Sequence, residues 1–287
     1  MKRNIQLLII DPQNDFCDLP ESWQPASPLN GQRVPPALPV AGAHADMQRL
    51  AGLINAGQDG LSGIVVTLDS HHRVDIAHPP FWAQADGSPV DPFTTISAQQ
   101  VRDGLYRPKA ASALPRVLAY LDELEARGRY TLMVWPIHCE IGTWGHNVHA
   151  SVQAACNAWE ESRLSAVRQV YKGANPWTEH YSVMQAEVPD AADPDTQLNQ
   201  ALIAELDRAD VLLIAGEASS HCVKATTEHI VDNLPSRQLN KVTLLTDFMS
   251  PVGGFEAQGE GFLAAMRGRG VQLASSADVL PLLQANR

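Results

Sequence analysis

NIQLLIIDPQNDF, residues 4–16, is an apolar run that stops abruptly on a charge and a proline. A continuous run of this length, without alternation, fits a strand buried on both faces, as in a parallel sheet covered by helices. Five further runs share the pattern: Gly63–Asp69, Tyr130–Pro136, Val167–Gly173, Asp210–Gly216 and Lys241–Asp247. Between them, Ala113–Arg127, Gln197–Arg208 and Glu256–Arg269 carry apolar residues at helical spacing. Strands alternating with helices predict an α/β fold. The expected form is a doubly wound, mainly parallel six-stranded sheet with helices on both faces.

Two stretches break the rhythm. Leu19–Ala43 is rich in proline and glycine, and Ala77–Pro108 has scattered prolines and little periodicity. Both read as long loops, and insertions near 19–43 and 77–129 are expected within one domain spanning 1–287. The 287 residues are 45% apolar and 18% charged, ordinary for a folded enzyme, and the formal net charge of −11 argues against nucleic acid or anionic membrane as partner. The N-terminal apolar run is shorter than a secretory signal requires, and no apolar stretch approaches the roughly 18 residues that span a bilayer. The cysteines, Cys17, Cys139, Cys156 and Cys222, form no CxxC pair. They read as free thiols, which points to a reducing, cytoplasmic setting.

The reactive residues cluster by position. Asp11 ends the first run, Asp69 the second, and His71 and His72 follow at once. WPIHC supplies His138, VYKGAN supplies Lys172, and AGEASSHCV supplies Cys222. In open parallel sheets the ligand crevice lies beyond the carboxyl ends of the strands, so these groups are expected on one rim. Cys222 precedes VKATTEHIVDNL, a predicted helix; a helix N-terminus and a nearby ammonium both favour thiolate. Singly, each residue has a plainer reading: a buried structural cysteine, an Asx turn at Asp11, a surface lysine at 172. Asp69, His71 and His138 are suitable ligand types for Zn²⁺ or a similar divalent ion, with His72 and His78 competing with His71.

LLIIDPQNDF, TLDSHH, VWPIHC, VYKGAN and GEASSHCV, in that order along nearly the whole chain, resemble the isochorismatase-like cysteine hydrolases, and most of all nicotinamidases. The resemblance implies a catalytic set of Asp11, Lys172 and Cys222, and a metal site of Asp69, His71 and His138. It also implies an oxyanion site of backbone N–H groups around Ala218 and Cys222, with a cis peptide at Glu217–Ala218. The implied reaction is hydrolysis of a small, non-peptide amide, a linear or aromatic carboxamide, through a thioester. Proteins of this kind are often homo-oligomers. Three features depart from the pattern: the added segment between His78 and Tyr130, Glu217 where an apolar residue is expected, and Glu179, His180 and Tyr181 close behind Lys172. They argue for a substrate larger or more polar than nicotinamide. Two alternatives remain on the same scaffold, vinyl-ether hydrolysis of the isochorismatase type, which does not need the thiol, and a non-catalytic, metal-stabilised interaction protein. Neither GxGxxG nor GxxxxGK[ST] is present.

Overall fold

A computed structural model describes residues 2–287. In chain order the strands are β1 (Ile5–Ile10), β2 (Gly63–Asp69), β3 (Trp82–Gln84), β4 (Thr94–Ile96), β5 (Tyr106–Pro108), β6 (Leu132–Val134), β7 (Arg168–Lys172), β8 (Val211–Gly216), β9 (Val242–Leu245) and β10 (Gln272–Ala274). The helices are α1 (Ala43–Gly57), α2 (Ala98–Arg102), α3 (Leu114–Arg127), α4 (Ala150–Arg163), α5 (Gln200–Leu206), α6 (Cys222–Asn233), α7 (Glu256–Gly268) and α8 (Ser276–Ala285).

The main sheet is six-stranded and parallel, in the order β10-β9-β8-β1-β2-β7. Helices cover both faces, with α1 against α4 and α8 in one layer and α6 against α7 in the other. Burial on both faces explains why β1 and β8 are apolar almost throughout: Leu7, Leu8, Ile9 and Ile10 face Leu213, Ile214, Ala215 and Gly216 across the ladder, and all are buried. Helix α1 buries Ala43, Met47, Leu50, Ala51 and Ile54, the stripe of a 3.6-residue period. From β1 the chain builds outward through β2 to β7, then returns to β8 on the other side of β1. That reversal opens a crevice beyond the ends of β1 and β8.

Two expectations about the sheet are corrected. The apolar run Tyr130–Pro136 yields only β6, which pairs antiparallel with β4 outside the main sheet. The sixth strand is instead β10, three residues long and incompletely buried, too short and too exposed for an apolar run to mark it. The stretch expected as a loop from residue 77 is also better ordered than its composition implies. It contributes β3, β4, β5 and α2, the last opened by a Ser97–Gln100 capping box. Together with α3 and β6 these pieces enclose a second apolar core, in which Trp82, Val117 and Leu121 are fully buried. Among the described residues no helix is long and apolar enough to cross a membrane.

Candidate active site

The rim of the main sheet is assembled by register. In the β2–β7 pair Asp69 stands opposite Lys172, and in the β1–β8 pair Ile10 stands opposite Gly216. Gly216 has φ 121°, and a Cβ there would lie 2.0 Å from the Ile10 carbonyl oxygen, so only glycine lets the chain leave β8 this close to β1. Six residues later Cys222 opens α6, and its N–H is among those a helix leaves without a carbonyl partner. The Glu217–Ala218 peptide bond between them is cis.

Asp11, Lys172 and Cys222 meet at the bottom of this crevice. The Lys172 Nζ lies 3.0 Å from Asp11 Oδ2, 2.8 Å from Asp69 Oδ1 and 3.7 Å from Cys222 Sγ, and all four side chains are buried. Asp11 sits at φ 45°, in the left-handed region that Asp tolerates better than most residues. Its Oδ1 accepts from Thr67 Oγ1 at 2.5 Å, and its N–H donates to the same oxygen at 3.0 Å. Burial raises the Asp11 carboxyl above its ordinary value; Lys172 opposes the shift and Asp69 adds to it. Burial would lower Lys172, but Asp11 and Asp69 hold the ammonium well above its ordinary value. Cys222 is pushed well above the ordinary thiol value by burial, with Lys172 opposing and Asp11 and Asp69 reinforcing. The helix terminus and ammonium noted in the sequence are therefore outweighed, and burial favours the thiol as the resting form.

The second group lies beside it. Imidazole nitrogens of His71, His78 and His138 all come within 4.8 Å of one another, and all three rings are buried. Asp69 Oδ2 is 3.0 Å from His71 Nε2 and 3.3 Å from His138 Nε2. His78, one of the rivals weighed from sequence, joins His71 instead of replacing it; His72 is exposed and takes no part. Each ring has its Nδ1 near an oxygen: Asp75 Oδ2 at 3.1 Å for His71, the His72 carbonyl at 3.2 Å for His78, the Pro136 carbonyl at 2.8 Å for His138. Assigning Nδ1 as the donor in each frees the Nε2 lone pairs of the neutral rings for a cation. With no cation bound, burial would lower His71, but Asp69 and Asp75 hold it well above its ordinary value. Burial and the neighbouring imidazoles press His78 down to about 2, so this ring is neutral. Burial alone would raise Asp69, yet His71, Lys172 and the imidazole hydrogen bonds hold it well below its ordinary value. Three imidazoles and one carboxylate form a donor set that fits a divalent cation such as Zn²⁺.

Supporting residues passed unremarked in the sequence. Gln13 brackets Asp69, its Nε2 donating to the Asp69 carbonyl at 2.8 Å and its Oε1 accepting from the Asp69 N–H at 2.7 Å. Asp15 Oδ2 accepts from Cys139 N–H at 2.7 Å, tying the WPIHC loop to the DPQNDF turn. His138 thus reaches the rim from a loop outside the main sheet, and that loop bonds to the end of β2 through His71 N–H and the Cys139 carbonyl at 3.0 Å. The four cysteines are all free.

Above these groups is a small cleft lined by Phe16, Leu38, Trp135, Tyr181 and Val252, with Cys222, Ala218, Asp69 and His138 at its base. Glu179 and His221 complete the wall. The cleft is narrow and largely aromatic, which suits a planar ligand.

The chain superposes on yeast nicotinamidase with a TM-score of 0.60 at 18% identity, covering 94% of this chain and 99% of that one. The fold is that of the nicotinamidases. A nicotinamidase/pyrazinamidase from Acinetobacter baumanii gives a TM-score of 0.59 at 20% identity, over 96% of this chain and 98% of that one. A pyrazinamidase of Pyrococcus horikoshii, solved in complex with zinc, gives 0.51 at 17% identity, over 95% and 99%. No protein-family model matches the sequence, and no curated protein matches it. On this nicotinamidase fold the present chain sets an acidic residue, Glu217, directly before the turn that carries Cys222, and a second one, Glu179, in the cleft wall.

Proposed function

We propose that the protein is a cysteine amidohydrolase acting on a small planar carboxamide. The observation that carries this reading is the convergence of Asp11, Lys172 and Cys222 beneath an aromatic cleft. Asp11 takes the thiol proton, and its raised affinity for protons suits it to that task better than a solvated aspartate. Lys172 stabilises the carboxylate before transfer and the thiolate after it. The thiolate attacks the amide carbon, and the oxyanion forms at the Cys222 N–H and the backbone beside Ala218. Asp11 returns the proton to the departing nitrogen, ammonia leaves, and water cleaves the Cys222 thioester to release the acid.

Asp69, His71, His78 and His138 would hold a divalent ion, for which zinc is our proposal. Bound there, it would act as a Lewis acid that orients a polar atom of the substrate. The phenol of Tyr181, accepting from Trp135 Nε1 at 3.1 Å, fixes the aromatic wall that sandwiches the ring. Four free thiols accord with a reducing compartment, which we take to be the cytoplasm.

The test is ammonia release from a panel of linear and aromatic primary carboxamides, nicotinamide included. At least one should be turned over by the native protein, and Cys222→Ala should reduce that rate at least 10³-fold while the circular dichroism spectrum is unchanged. Full activity in the alanine variant would end the thioester reading.

A further inference from the structure

Glu217 is fully buried behind the turn that carries Ala218 and Cys222, in a position the catalytic scheme does not use. Its Oε2 accepts from the Ser250 N–H at 3.0 Å. Among the described residues its Oε1 receives no donor. The charged group that affects it most is Asp46 of α1, and Ser250 joins the two, donating its N–H to Glu217 and its Oγ to Asp46. Asp46 is already supplied with donors, Ser250 Oγ at 2.7 Å and the Arg49 guanidinium. Two carboxyls brought to one serine inside a protein resist ionising together; one keeps a proton that it can donate to the other. Asp46 has the cation, and Glu217 has none, so the proton belongs to Glu217. Ser250 closes the arrangement: its carbonyl accepts from the Ser219 N–H at 2.9 Å, and Ser220 Oγ accepts from the Val252 N–H at 3.0 Å. The turn before Cys222 is thereby fastened to residues 250–252 and, through them, to α1.

We propose that Glu217 is a positioning residue that works as a neutral acid, donating to Asp46 and accepting from Ser250, and so locks the turn that presents Ala218 and Cys222 to the cleft. The link to catalysis rests on the amidohydrolase reading above; the lock itself does not. The titratable groups around Glu217 are Asp46 from α1, itself paired with Arg49, and Asp18 and the Cys17 thiol from the segment after β1. Arg49, a cation that would favour ionisation, is committed to Asp46. Burial first, and Asp46 second, push the Glu217 carboxyl well above its ordinary value. The sign follows: the protonated form belongs to the fold, so its contribution is whole below the unfolded carboxyl value and is lost as pH rises toward the folded one.

Two variants test this in the full-length protein. Glu217→Gln keeps a donor for Asp46 and an acceptor for Ser250 but cannot ionise; Glu217→Leu keeps bulk and loses both bonds. Melting temperature against pH is the first readout and needs no substrate. The gap between E217Q and the native protein should widen in favour of E217Q as pH rises above about 5. The second is the rate of Cys222 alkylation by iodoacetamide, which is independent of any amide. E217L should change it severalfold, and E217Q should restore the native rate. Once a substrate is in hand, E217L should lower kcat about tenfold with KM nearly unchanged, and E217Q should rescue it. A melting-temperature gap that stays constant with pH, or an E217Q variant as disturbed in alkylation as E217L, overturns the proposal. Loss of all hydrolysis in the native protein, with the melting and alkylation results intact, would strike the amidase reading alone.

Discussion

In the proposed mechanism Asp11 is a base while buried, and its surroundings bear on that role. Thr67 and Lys172 stabilise the carboxylate, but burial outweighs them, so the group ionises above the ordinary carboxylate value of about 4. Only the ionised form accepts the thiol proton, so kcat/KM should climb as pH rises through this raised value. Asp11→Asn should abolish that limb and lower kcat/KM by about 10²–10⁴-fold. An acid limb persisting in the variant would assign the base to another group. Iodoacetamide should modify Cys222 ahead of Cys17, Cys139 and Cys156, because Cys222 alone of the four lines the cleft; peptide mapping after partial labelling decides this. These reactive positions were legible because each stands at the end of an apolar run. The second layer was not: Gln13, Asp15, Thr67 and Asp75 are ordinary polar residues until the fold brings carbonyls, amides and imidazoles to them.

At the level of elements, the segment from His71 to His78 brings two imidazoles to the proposed metal site, where the sequence offered them as rivals. His78→Ala should lower affinity for added zinc by at least 10-fold, measured by metal content after dialysis, whereas His72→Ala should bind as the native protein does. Equal retention by both variants would remove His78 from the site. The inserted pieces make a separate demand on stability. Trp82 is fully buried and its Nε1 donates to the Ile76 carbonyl at 2.7 Å, so Trp82→Ala should cost about 3–5 kcal/mol in urea unfolding. A cost under about 1 kcal/mol would mean that this second core contributes little. Strands buried on both faces were readable because burial forces them to be apolar. Three-residue strands such as β3 and β10 were not, since so short a piece has no period to show, and Tyr130–Pro136 misled because an apolar run fits a satellite core as well as a central sheet.

Over the whole molecule, buried acids and buried bases are held neutral in similar measure. Burial depresses His149, His180 and His221 to about 4, 3 and 4. Their contribution is present above the unfolded histidine value and is lost as pH falls through the folded ones. Burial raises Glu179 and Glu187 to about 7, so theirs is present below the unfolded carboxyl value and is lost as pH rises to 7. The two sets oppose each other between about pH 4.5 and 6.5. Melting temperature should therefore be nearly level across that window; a continuous slope through it would show that one set dominates. The same molecule-wide view gives the paired imidazoles a further meaning. His78 and His138 stand at the two feet of the inserted segment, their rings 3.2 Å apart between Nε2 and Nδ1. The chain therefore leaves the main body and returns to it at a single point, like an appendix on a stem. A cation gripping both feet would close a ring of about sixty residues, and ring closure of that length restricts an unfolded chain much as a disulfide does. It would do so without oxidising a thiol.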